Sequence, residues 1–130
     1  MRGAPFHNGL ARQVQQMFER FGWQVWTEKR IRAHGVTTYV DLYAAKGGDA
    51  LACEIESTDR HALDNAQKAS MVGISLWLVV PTRQMRRRLV QKLGRAGLTC
   101  GGQPIHVLLL GDLETELARR QREQRPSGRS

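Results

Sequence analysis

Three carboxylates stand in a stretch whose other residues favour burial. Tyr39 to Thr58 reads YVDLYAAKGGDALACEIEST, two strand-like runs joined by Lys46-Gly47-Gly48-Asp49. Asp41 falls in the first run, Glu54 and Glu56 in the second. Side chains alternate along a strand, so Glu54 and Glu56 share a face while Cys53 and Ile55 point the other way, into packing. Buried carboxylates are costly unless something positive sits with them. The simplest partner is a hard divalent cation, Mg2+ or Mn2+, which prefers carboxylate and carbonyl oxygens. If the register brings Asp41 beside Glu54, those two carboxylates and the Ile55 carbonyl can hold such an ion. It would polarise a phosphoryl oxygen and lower the pKa of a bound water. The other reading is a solvated acidic strand face without metal, and spacing alone leaves both open.

These acids belong to a basic chain. Twenty Lys plus Arg stand against twelve Asp plus Glu, a net charge of +8, and Lys29, Lys46, Lys68 and Lys92 are the only lysines. An arginine-rich cation set favours bidentate phosphate contacts and points to nucleic acid. A membrane surface is a weaker fit, because no basic amphipathic helix carries large apolar anchors. The 130 residues suggest one domain. The longest apolar run, Ser75 to Val80, has strand length and cannot span a bilayer. Met1 to His7 shows no apolar segment of a secretory signal. Cys53 and Cys100 are too few for a disulfide framework or a metal ribbon. A reducing, cytoplasmic setting is expected.

The pattern predicts the elements that must position the acids. Residues 8–22 read as a helix, with Asn8 as N-cap, a stripe of Leu10, Val14, Met17, Phe18 and Phe21, and Gly22 as C-cap. Strands follow from Trp23 to Arg32, from Val36 to Ala45 and from Ala50 to Ser57, an antiparallel meander turning at Ala33-His34-Gly35 and at Lys46–Asp49. Thr58-Asp59 starts a helix over 60–72, in which Ala62, Ala66 and Ala69 allow close packing. His61, Asn65 and Lys68 lie together on one side of it. Ile74 to Val80 reads as an internal strand parallel to its neighbour. Residues 83–95 form a basic amphipathic helix, with Met85, Leu89 and Leu93 inward. Arg83, Arg86, Arg87, Lys92 and Arg95 face outward, where they could meet a phosphate backbone or simply be solvated. Thr99 to Pro104 is a Gly-rich loop, Ile105 to Leu110 a last strand, and Asp112 the cap of a short helix to about Arg120. The expected division is one domain over 1–118 and a basic, disordered tail over 119–130.

Order and residues together resemble the PD-(D/E)xK nuclease superfamily. Helix, three-stranded meander, helix and strand carry Asp on the second strand and Glu-x-(Lys or Glu) on the third. More closely, the chain is similar to restriction-endonuclease-like domains of prokaryotic mobile and conjugative elements. The matching positions are Asp41-Leu42, Glu54-Ile55-Glu56-Ser57, Asp59, Asn65, Lys68, Gly73 and Val79-Val80-Pro81, within residues 7–82. The resemblance implies an α/β fold, a restriction-endonuclease-like αβββαβ core with a mixed central sheet and a C-terminal α-β-α extension. It implies Mg2+-dependent cleavage of DNA, with Asp41, Glu54, Glu56 and Lys68 catalytic and Asp41, Glu54 and Ile55 at the metal. One departure matters. The superfamily's lysine two residues after the acid is Glu56 here, and Lys68 on the following helix is the candidate to replace it. Should Lys68 face solvent, the domain would be a non-catalytic nucleic-acid-binding or assembly module. His7, Glu28 and Asn65 are accessory candidates, and an active protein would be a homodimer cutting two strands or a branched junction. An RNA-binding protein with no metal site is a third reading. Trp23, Trp26 and Trp77 read as core and interface rather than base-stacking platforms, and His34 and His61 as surface residues.

Overall fold

The computed structural model describes residues 4–56, 61–98 and 105–124; the side chains of residues 4–8 and 124 lie outside that description. Its elements are α1 (Ala4–Arg20), β1 (Gln24–Ala33), β2 (Val36–Lys46), β3 (Asp49–Ile55), α2 (Ala62–Val72), β4 (Leu76–Val80), α3 (Arg83–Arg95), β5 (Ile105–Leu109) and α4 (Leu110–Gln124). The five strands form one sheet in the order β1-β2-β3-β4-β5. β1, β2 and β3 pair antiparallel, whereas β4 lies parallel to β3 and β5 parallel to β4. This is the expected mixed α/β sheet, αβββαβ followed by αβα.

Turn chemistry sets the meander. His34 and Gly35 both have positive φ, 54° and 76°, which matches the right-handed twist of a two-residue hairpin. The second hairpin closes between paired Lys46 and Asp49, with Gly47 at φ 59°. The Lys46 ammonium reaches back to donate to the Phe21 carbonyl at 2.6 Å, tying the hairpin to the end of α1.

The sheet buries both faces. Val14, Phe18, Leu42, Cys53, Ile55, Trp77, Val79, Leu113 and Leu117 form the core shared with α1 and α4. Ala52, Ala62, Ala66, Ala69, Leu76, Leu78, Met85, Leu89 and Leu93 form the core under α2 and α3. Each large buried aliphatic contributes about 1.5–3 kcal/mol. β4 is buried at every position, as its unbroken apolar run requires. On α3, Thr82 Oγ1 accepts from the Met85 amide at 3.1 Å, an N-cap that fixes where the helix leaves β4.

Three boundaries differ from expectation. α1 begins at Ala4, so Asn8 lies inside the helix rather than at its cap; Pro5 falls in the first turn, where a missing N–H costs nothing. α4 begins at Leu110, which puts Asp112 in its first turn. The same helix continues to Gln124, through residues expected to be tail. Polar contacts hold it: Arg119 bridges Glu116 and Glu123. Arg120 lies 5.5 Å from the Trp77 ring and 3.6 Å from the Asp49 carboxylate. Thr58-Asp59, Ser57, Cys100, the Gly-rich loop and residues 125–130 lie outside the described residues.

Candidate active site

The β2–β3 ladder ends at Leu42 opposite Cys53. Beyond it the strands part, and Asp41 turns its carboxylate to β3: Oδ2 accepts from the Ile55 amide at 2.8 Å. The β1–β2 ladder breaks at the same level, skipping Glu28 opposite Asp41, and Glu28 takes a φ of 51°. A side-chain acceptor thus replaces a backbone one where the sheet splays.

Glu54 stands next to Asp41. It is 6% exposed, and its carboxyl is pushed up to about 10. Burial is the largest cause, followed by the Asp41 charge, a hydrogen bond to the Asp41 carboxyl and the Glu56 charge; the Asp41 backbone hydrogen bond pulls the other way. Glu56 is 7% exposed, and its Oε2 accepts from Asn65 Nδ2 at 2.9 Å. Its amide donates to the Val79 carbonyl at 2.9 Å, which fixes it at the carboxyl end of β4. The small Ala62, Ala66 and Ala69 let α2 sit low on the sheet, and this is what brings Asn65 to Glu56. Cys53, facing the opposite core, is fully buried; burial, then Glu54 and Asp41, push its thiol well up.

Thus Asp41, Glu54, Glu56 and Asn65 meet at one end of the sheet. Lys68 is three residues beyond Asn65, but its ammonium pairs with Asp64 at 3.2 Å and both side chains are substantially exposed. Asp64 was not singled out in the sequence, although its i,i+4 spacing from Lys68 is the standard helical ion-pair spacing. The Ile55 amide, rather than its carbonyl, makes the contact to Asp41, and its side chain is buried as expected. Glu28 is exposed. His7 lies on α1 with its side chain outside the description. His34 and His61 are exposed, and Trp23 and Trp77 are core. Arg83, Arg86 and Arg87 project from α3, with the exposed Arg88 beside them and Lys92 half-buried. Arg86 lies 3.7 Å from Asp112 on α4. Among the described residues no group of three or more His, Cys, Asp or Glu side chains is arranged to hold a metal ion.

No family model matches the chain, and no curated protein matches it. Among solved structures it is similar to the crystal structure of a protein of unknown function, AF1548, at 14% identity and a TM-score of 0.53. The match covers 92% of this chain and 70% of that one. At that identity the likeness concerns the fold alone.

Proposed function

We propose that the protein is a Mg2+-dependent DNA endonuclease of the PD-(D/E)xK kind, acting at the Asp41–Glu54 pair. One observation carries the reading: carboxyls from adjoining strands converge where the ladder parts, with Glu54 buried and crowded enough to hold its proton far above the carboxylate range. That crowding costs stability, and a divalent cation would relieve it. Mg2+ keeps several waters and binds through one or two carboxylates plus substrate phosphate. Asp41 and Glu54, with the Ile55 carbonyl nearby in sequence, would therefore suffice as the protein's ligands. The ion, when bound, supplies charge neutralisation at a phosphoryl oxygen and a more acidic water.

The chain's own groups do the rest. Asn65 fixes Glu56 Oε2, so Glu56 is a positioned acceptor for a proton leaving the attacking water. Lys68 is held by an exposed ion pair worth at most about 1 kcal/mol. Leaving Asp64 for a substrate phosphate is therefore cheap. Arg83 and Arg87 offer the backbone a cationic ridge from the helix that follows β4. Nothing in this set reads base edges, so selectivity would rest on DNA shape or structure, as in a junction resolvase.

The second reading is a DNA-binding or assembly module that retains the fold without the chemistry. The Lys68–Asp64 pair and the glutamate at position 56 favour it. Nicking of supercoiled plasmid with Mg2+, compared for wild type, Asp41→Asn and Glu54→Gln, separates the two. Nicking abolished by both substitutions supports the enzyme; nicking that survives both rules out this site. DNA binding with no Mg2+-dependent nicking selects the module.

A further inference from the structure

A second cluster lies across β1 and β2, formed by residues other than the carboxylates. Trp26 and Tyr43 are cross-strand partners, with ring centroids 5.8 Å apart and planes at 47°. Trp26 is 38% exposed, unlike Trp23 at 4% and Trp77 at 1%. The Lys29 ammonium sits 5.7 Å from the Trp26 centroid and 5.8 Å from that of Tyr43. Beside this pair opens a cleft of about 530 Å³, whose lining includes Lys29, Arg30, Arg32 and Tyr43 on one side and Val72 and Gly73 on the other. No carboxylate lines it, and none of its three cations is in an ion pair among the described residues. The carboxyl end of α2 adds roughly half a negative charge there, which three full positive charges outweigh.

An exposed Trp26 and a half-buried Tyr43, beside cations that make no ion pair among the described residues, match the chemistry of an unpaired nucleic-acid strand, whose bases stack while its phosphates need charge. We propose that this cleft takes a single-stranded stretch of DNA, one base against Trp26 and Tyr43 and the flanking phosphates on Lys29, Arg30 and Arg32. The choice of DNA rests on the nuclease reading. Duplex fits worse, because its bases are stacked and cannot meet the rings. Tyr43 is two positions from Asp41 on β2, about 7 Å at the rise of a strand. A strand held in the cleft therefore passes close to the carboxylates, and the substrate would be a junction, flap or frayed end.

The test is binding of the full chain to a short oligothymidylate in EDTA, read by tryptophan fluorescence and anisotropy. Because Trp23 and Trp77 are buried, quenching reports Trp26. Wild type should show quenching and bind oligothymidylate more tightly than duplex of equal length. Trp26→Ala should weaken oligothymidylate binding by about tenfold and leave duplex affinity unchanged. Tyr43→Leu should also weaken it, and circular dichroism confirms that each variant is folded. Unchanged oligothymidylate affinity in folded Trp26→Ala, or equal affinity for duplex, overturns the proposal; tighter binding of oligouridylate overturns the DNA assignment. The two readings fail separately. Binding lost in Trp26→Ala without any Mg2+-dependent nicking leaves the cleft standing and removes the nuclease, whereas nicking with unaffected strand binding does the reverse.

Discussion

Glu54 couples folding to pH through its burial beside Asp41. In the unfolded chain it titrates near 4.5, and in the fold near 10, mainly because burial and the Asp41 charge disfavour its anion. The folded state therefore binds an extra proton between those values. That contribution to stability is fully present below about pH 4.5 and is lost as the pH rises through 10. Glu54→Gln keeps the shape and removes the titration. Calorimetry should find the variant more stable than wild type at pH 9, with a clearly higher Tm, and the two curves converging near pH 5. Mg2+ that binds only the folded state raises Tm by mass action. Millimolar Mg2+ is accordingly expected to raise the wild-type Tm at pH 8 and to leave Glu54→Gln unmoved. A Glu54→Gln curve parallel to wild type would show that crowding at this carboxyl does not set the slope.

At the scale of elements, α2 is the positioning device. Its alanines decide how low it sits, and its height decides whether Asn65 reaches Glu56. Ala66→Leu overpacks that contact at a cost of about 1–3 kcal/mol. It should lift Asn65 from Glu56, so that nicking falls more than the loss of stability alone explains; urea denaturation alongside the nicking assay separates the two effects. This part was legible because patterns carried it: alternation over Tyr39 to Ile55, Gly-Gly and His-Gly turns, three alanines at helical spacing. The site's acids were legible for the same reason, since register follows from turn length. What escaped had no apolar signature. Residues 119–124 carry no hydrophobic stripe, and their helix is held by local ion pairs of Arg119 and by Arg120 against Trp77 and Asp49, the last two being contacts between segments far apart in sequence. Trp26 was read with the other tryptophans as core and interface, although alternation along β1 sets it with the exposed Gln24 and Glu28, opposite the buried Trp23. Arg120→Ala should therefore cost roughly 1 kcal/mol through lost packing as much as lost charge, seen as a lower urea midpoint.

At the scale of the molecule, a net charge of +8 surrounds a buried acidic end of the sheet. Among the described residues no helix is long and apolar enough to cross a membrane. α3 presents the densest group, and its cations are not equivalent. Arg86 faces Asp112 at 3.7 Å, so at Arg86 a phosphate would compete with a carboxylate already in place. Arg83 and Arg87 are exposed. Each phosphate neutralised releases counterions, contributing about 0.9 to the slope of log affinity against log salt on duplex DNA. Anisotropy with labelled duplex in EDTA, over roughly 50–200 mM salt, should show Arg83→Ala and Arg87→Ala each flattening that slope by close to one contact. Arg86→Ala should change it less, because the arginine already has a partner and its removal leaves Asp112 to repel the backbone. Equal slopes for all three variants and wild type would mean that DNA does not cross α3, and that the basic character of this helix serves solvation.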